Sequence, residues 1–218
     1  MSPSDDLLTL FPASNRETRI RLAGIVQSYP AGVSLFEQGQ PCRMIFGVLS
    51  GRVARIARRE ARSSLMDLVG PGAVLGAEAA LAATPYGFTG RAVTGVTVLA
   101  MGAAPFLDQF AEDFGFAKDV ARHLAQDRAA VFGAWADAKL KTASERLAAW
   151  LLAELGHAGE GALAKLPLPK IEIASLMGTT PVYITKAFND LAAYGVETKG
   201  KYVILHDLRR LAAFAAGP

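Results

Sequence analysis

Val182, Tyr183, Thr185, Lys186 and Asn189 share the side of a helical repeat that Ile184, Ala187, Phe188 and Leu191 leave free, with Thr180 at its head. An ammonium, an amide, hydroxyls and a branched methyl group on one helix face are groups that can read duplex DNA. Lys186 can bond guanine or a phosphate, Asn189 and Tyr183 a base or the backbone, and Val182 can pack on a thymine methyl. Two further cations, Lys199 and Lys201, flank Gly200 downstream, spaced to meet the phosphate backbone.

The elements that must position these groups lie around them. Thr180 is a natural N-cap, and Pro181 suits the first helical position, where its missing N–H is no loss. Upstream, Ile171, Ala174 and Leu176 or Met177 supply an apolar face to a first helix, and Gly178 sits where a helix needs a residue tolerant of positive φ. Ala174-x-x-x-Gly178 followed by Ile184 is the spacing of a helix-turn-helix: a small residue lets the helices cross, glycine turns the chain, and a β-branched residue pins the second helix. The same hairpin occurs in all-α cores that never meet DNA, so the spacing alone leaves both readings open. The continuation favours DNA. Gly195 stops a helix, and Val196 to Thr198 and Tyr202 to Leu205 read as strands joined by Lys199-Gly200-Lys201, the pattern of a winged helix.

The 218 residues, 51% of them hydrophobic, form a globular chain with room for one large or two small cores. A net charge of +3 and a pI near 9.1 permit nucleic-acid binding without demanding it. No run of about 18 apolar residues occurs, so no membrane span is expected. The acidic start MSPSDDLLTLF lacks the basic region of a secretory signal, and the single cysteine, Cys42, cannot form an internal disulfide. Both point to a cytoplasmic protein.

Ser14-Asn15-Arg16-Glu17 has the form of a capping box, with Ile20, Leu22 and Ile25 as the expected buried residues after it. From Tyr29 to Met101, short runs of Val, Ile, Leu and Phe alternate with glycine-bearing turns, which predicts an antiparallel β-barrel or roll able to hold a small ligand. From Pro105 to Leu140 the helical period returns. Val120, Leu124, Val131, Ala134 and Ala138 fall on one stripe, with Asp127 at a matching position, suggesting a long helix that pairs with its copy in a homodimer. Thr142-Ala143-Ser144-Glu145 opens another helix through Leu147, Trp150, Leu151 and Leu155; His157 to Lys165 reads as a loop; Asp207 caps a final helix with Leu208, Leu211 and Phe214 inward.

A β-roll, a long helix and a winged helix in that order resemble the Crp/Fnr superfamily of bacterial transcription regulators. The likeness is carried by Phe36-Glu37-Gln38-Gly39, Val48-Leu49-Ser50-Gly51-Arg52-Val53, Pro71-Gly72-Ala73-Val74-Leu75-Gly76 and the helix-turn-helix. No one of these is specific; their order is. The resemblance implies an α+β chain with a sensory roll over 1–104, a dimerisation helix over 105–140 and a DNA-binding winged helix over 141–218. It further implies a homodimer on a two-fold symmetric DNA site, with RNA polymerase as a partner and no enzymatic activity.

The departures from the family pattern narrow the effector. Cyclic-nucleotide-binding relatives carry Gly-Glu-Leu and then an Arg-Ser or Arg-Ala pair, whose arginine forks onto the phosphate. Here the first element reads Gly76-Ala77-Glu78 and the later pair Tyr86-Gly87. A neutral tyrosine cannot replace a bidentate cation, which argues against cAMP or cGMP and leaves room for another small effector or a redox signal. The expected effector pocket draws on Gly76, Glu78, Tyr86, Phe88, Arg91 and Asp127. One cysteine is too few for an iron-sulfur cluster. Haem stays open through Cys42 or His123, and a redox role for Cys42 is a weaker option. Arg52, Arg55, Arg58, Arg59 and Arg62 could contact polymerase, DNA or an anion, but read best as a solvated hairpin edge. The recognition positions hold Pro181, Val182 and Lys186 where many relatives have Arg, Glu and Arg, so the usual G-rich half-site does not carry over.

Two rival classes remain. A cupin-like metalloenzyme would need histidines inside the roll, and residues 29–104 contain none, so no metal site is expected there. A sensor or scaffold with a degenerate helix-turn-helix, acting through protein contacts, is kept open by Pro181 and Val182.

Overall fold

The computed structural model describes residues 3–22 and 24–217. The chain divides into two compact units, Met1–Ala130 and Val131–Pro218. In the first, α1 (Pro3–Leu10) and α2 (Arg16–Arg21) precede β1 (Ile25–Tyr29), β2 (Ser34–Phe36), β3 (Met44–Ser50), β4 (Val53–Arg59), β5 (Arg62–Val69) and β6 (Val74–Leu75). There follow α3 (Ala77–Leu81), β7 (Thr89–Ala92), β8 (Val96–Gly102), α4 (Ala103–Glu112) and α5 (Phe114–Leu140), the last running on into the second unit. The strands make two four-stranded antiparallel sheets, β1-β8-β3-β6 and β2-β7-β4-β5, the roll expected between Tyr29 and Met101.

Strand alternation lets one apolar run serve two cores. Phe46, Val48, Val98 and Ala100 belong to the core between the sheets with Phe36, Val53 and Tyr86. Their neighbours Ile45, Leu99 and Met101 turn the other way, onto Leu7, Leu10, Phe11, Phe106 and Phe116 of the helical layer. Gly47 is what lets α1 approach so closely, because a Cβ there would collide with Leu10 Cδ1.

Several expectations for this unit are corrected. Asn15, not Ser14, caps α2, accepting from Thr18 N at 2.8 Å, while the Ser14 hydroxyl donates to Phe11 O. Ile20 and Ile25 are 61% and 66% exposed, because α2 has only six residues and Ile25 begins an edge strand; Leu22 alone of the three is buried. The helical stretch expected from Pro105 to Leu140 is broken by Asp113. Its Oδ1 accepts from Gly115 N and Phe116 N at 2.9 and 3.2 Å, and its Oδ2 from Asn15 N and Thr18 Oγ1 at 2.8 and 2.7 Å. Burial opposes the charge, but these donors together hold the Asp113 carboxyl below its ordinary value.

The second unit contains α6 (Ala143–Leu155), β9 (Leu163–Lys165), α7 (Lys170–Leu176), α8 (Pro181–Asp190), β10 (Val196–Lys199), β11 (Tyr202–Leu205) and α9 (Leu208–Ala216), with a three-stranded sheet ordered β10-β11-β9. Thr142 and Glu145 form the expected capping box: Thr142 Oγ1 accepts from Glu145 N at 3.2 Å and Glu145 Oε2 from Thr142 N at 2.7 Å. Asp207 Oδ1 caps α9 through Arg210 N at 2.8 Å. The segment read as a loop after His157 holds β9, where Leu163 and Ala164 pair with Ile204 and Val203; three residues are too few to show a strand period. Leu147, Leu151, Ile173, Ile184, Phe188, Val203 and Leu211 are all buried in this unit.

Candidate functional site

Two places in the molecule can carry function, one in each unit. In the second, Gly178 (φ 62°) turns the chain out of α7, and Gly178 N and Thr179 N donate to Ser175 O and Ala174 O at 3.0 and 2.9 Å. Thr180 Oγ1 then accepts from Tyr183 N at 3.2 Å and Pro181 takes the first helical position. Ile184, Ala187, Phe188 and Leu191 are buried, which leaves Val182, Tyr183, Thr185, Lys186 and Asn189 exposed; Val182 is 81% so. On α7 the buried isoleucine is Ile173, whereas Ile171 is 65% exposed, a shift of face by less than one turn. The Thr185 hydroxyl donates to Pro181 O at 2.9 Å, so toward a ligand it can only accept.

Arg146 on α6 was not among the expected residues. It donates to Met177 O at 2.6 Å and to Lys141 O at 2.5 Å, tying the turn between α7 and α8 to α6. Nothing local marks this role, since the turn lies 31 residues away. In the wing, Lys199 Nζ lies 2.9 Å from Glu197 Oε1 and His206 Nε2 lies 2.8 Å from Glu197 Oε2. The hydrogen bond from His206, then that from Lys199, holds Glu197 below the usual carboxylate range. Lys201 Nζ stands 5.7 Å from the Tyr202 ring. Asn189 lines an open groove of about 290 Å³ with Glu197 and His206, so it faces the wing.

In the first unit a cavity of about 220 Å³ lies between the roll and α5, with Val74 and Glu78 on one wall and His123, Leu124, Gln126 and Asp127 on the other. Of the six residues expected to line an effector pocket, Glu78 and Asp127 line this cavity. Gly76 (φ 90°) sits against Tyr86, whose ring a Cβ there would meet at 3.0 Å. Tyr86 is core: its hydroxyl donates to Met44 O at 2.6 Å, its ring stacks on Phe36 at 4.2 Å, and burial pushes its pKa up. Phe88 packs against the inter-sheet core, and Arg91 is half-buried on β7, opposite Ala54. The Glu78 residue is exposed overall, yet its carboxyl end turns back toward Gly76 N at 3.1 Å; desolvation there, with the Asp127 charge as a lesser cause, raises its pKa.

The largest correction is Arg55, expected on a solvated hairpin edge. A bulge between Arg55 and Ile56 sets Asp67 directly opposite Arg55. The guanidinium grips Asp67 side-on, Nε to Oδ1 at 2.7 Å and Nη2 to Oδ2, while Nη1 reaches Asp127 Oδ1 and Oδ2 on α5 at 2.7 and 2.9 Å. The Arg55 side chain is 10% exposed and lies 5.5 Å from the Phe88 ring. Burial alone would weaken its charge, but the hydrogen bonds it donates to Asp67 and Asp127 outweigh that and raise the pKa. Arg58, Arg59 and Arg62 are exposed as expected.

Other candidate groups are occupied. The Cys42 thiol donates to Gly76 O at 3.4 Å, and burial pushes its pKa up, away from thiolate chemistry. His123 Nε2 lies 2.7 Å from Leu10 O. Among the described residues no three His, Cys, Asp or Glu side chains converge on a metal-sized site. Asp119, fully buried, takes Ala13 N at 2.6 Å; its other oxygen is 2.7 Å from Arg122 but too poorly aligned for a hydrogen bond, so it gains charge neutralisation without a directed donor. The proposed dimer stripe is split. Val120 is part of the intrachain core and Leu124 packs partly against it, because the first turns of α5 cover the helical layer. Val131, Ala134 and Ala138 are exposed, joined by Phe132 and Trp135 at 63% and 57% exposure; Trp135, four residues after Val131, lies on the same open face and Phe132 beside it. No helix among the described residues is long and apolar enough to cross a membrane.

Comparison with known proteins places both units. A cyclic nucleotide-binding domain model matches residues 26–113, and a Crp-like helix-turn-helix domain model matches residues 145–214. The chain is 27% identical over 191 residues to a CRP-like cAMP-activated global transcriptional regulator of Mycobacterium tuberculosis, covering 84% of this chain and 85% of that one. A Crp/Fnr-family transcriptional regulator from Thermus thermophilus superposes with a TM-score of 0.73 at 25% identity, over 88% of this chain and 99% of that one. One from Eubacterium rectale superposes with a TM-score of 0.78 at 17% identity, over 93% and 95%. A cyclic nucleotide-binding-type roll followed by a Crp-like helix-turn-helix, in a chain that matches a CRP-like regulator over 84% of its length, means that the chain belongs to the Crp/Fnr superfamily of transcription regulators.

Proposed function

We propose that this protein is a cytoplasmic, homodimeric, non-enzymatic transcription regulator that reads an inverted-repeat DNA site with α8 and works with RNA polymerase. The observation that carries the reading is the open face of α8, where Val182, Tyr183, Thr185 and Lys186 stand exposed behind a formed N-cap. Lys199 and Lys201 would meet phosphates, and Val131, Phe132, Trp135 and Ala138 of α5 would meet the second copy. Half-sites would then lie about one helical turn, roughly 34 Å, apart.

The controlling signal is a small effector other than cAMP, although the Mycobacterium tuberculosis relative is named for cAMP activation. Glu78 and Asp127 on the cavity wall suit a neutral or cationic molecule better than a phosphate. A redox signal through Cys42 is the poorer choice, since its thiol is held protonated. Selection of bound duplexes from a random pool tests the reading: a two-fold symmetric site supports it, and an unenriched pool refutes it in favour of a protein scaffold.

A further inference from the structure

We propose that Arg55 and Asp127 form a ligand-independent latch that fixes α5 to strand β4, and that Asp127 occupies the place on Arg55 that an anionic effector would need. The inference goes beyond the DNA reading and does not depend on it.

Arg55 comes from a rigid position, since β4 is paired on one side with β5 and on the other with β7. Asp127 comes from a weakly anchored one. The buried residues of α5 end at Val120, Leu124 is only half-buried, and residues 125–130 are exposed. Past Leu124, the guanidinium contact to both Asp127 oxygens ties the helix to the roll.

The charge balance favours a closed, self-sufficient cluster. Nε and Nη2 are spent on Asp67 and Nη1 on Asp127, so every nitrogen of Arg55 already faces a carboxylate oxygen. Two carboxylates against one guanidinium leave the cluster net negative before Glu78, on the adjoining cavity wall, is counted. A phosphate entering here would meet repulsion and would compete with Asp127 for Nη1.

The test uses the full chain without DNA and reads amide hydrogen exchange over residues 121–130. Asp127→Ala should speed exchange there by about tenfold, the scale of one lost charge-assisted hydrogen bond, while β3 and β8 stay unchanged. Alanine favours helix, so intrinsic propensity works against this outcome. Asp127→Glu should restore part of the protection. Adding Asp127→Ala to Arg55→Gln should cause no further loss, because the two residues share one contact. If Arg55→Gln fails to fold, Asp127→Ala still carries the test, since it leaves the pair with Asp67 intact. Millimolar inorganic phosphate or cAMP should leave wild-type exchange unaltered. Unchanged exchange in Asp127→Ala, or phosphate- or cAMP-dependent protection in the wild type, overturns the latch. Failure to bind duplex DNA in a separate assay would overturn the proposed function and leave this result standing.

Discussion

The exposed face of α8 and the cavity beneath α5 hold their side chains by different means. Around α8 most of the fixing bonds are short in sequence, Tyr183 N to Thr180, the Thr185 hydroxyl to Pro181 and Thr179 N to Ala174, with Arg146 to Met177 O a long-range tie. Around the cavity, Arg55 is fixed by partners 12 and 72 residues away, and both are charged. Local neutral bonds are each worth about 1 kcal/mol and fail one at a time. A half-buried charge cluster fails as a unit, because removing one member strands the others.

The largest effect should come from the core that supports the α8 face. Phe188→Ala removes a buried ring and should cost about 3–5 kcal/mol. Both tryptophans, Trp135 and Trp150, lie in the second unit, so denaturation followed by tryptophan fluorescence reports on it. The midpoint should drop and duplex binding should be lost, with the roll intact by hydrogen exchange. Next, Arg55→Gln strands Asp67 and Asp127 and should cost about 2–3 kcal/mol, below the range for a fully buried pair because both carboxylates keep some water. If exchange in β4 and α5 did not respond, the contrast between the two regions would disappear.

Smaller changes sharpen the comparison on the α8 side. Thr180→Ala should cost about 1 kcal/mol by removing the cap. Lys186→Ala should weaken binding across sequences and reduce the salt slope by about 1 if the ammonium meets a phosphate; a loss confined to one base position would mean it reads an edge instead. The mildest is acidification. The folded-state pKa of Asp113 lies below its unfolded value, so its stabilisation is complete above the ordinary value of about 3.9 and drains away as pH falls through the lower folded value. Exchange in α2, whose Thr18 hydroxyl bonds Asp113, should rise in that window, and Asp113→Asn should abolish the response.

How much of this was legible in the sequence follows the same division. The caps at Thr142, Thr180 and Asp207 and the buried set Ile184, Ala187, Phe188 and Leu191 each depend on residues a few positions apart, and all were readable. The sensory side was legible as a roll but not as a site. Tyr86 and Gly76 were expected in the pocket because of their place in a motif, whereas strand packing turns Tyr86 into the core. Arg55 looks like one of five similar arginines, and only a bulge against β5 and the packing of α5 give it two carboxylates. Ile173 and Ile171 differ by less than one turn of α7, and nothing local decides which of them faces inward.

The central claim is that α8 is a groove-reading helix presented twice. Its most direct test is a titration of the full chain against a selected duplex, followed by sedimentation at several salt concentrations. Two chains should bind each duplex, with affinity falling steeply as salt rises. Saturation at one chain per duplex, or no binding to any duplex at low ionic strength, would contradict it.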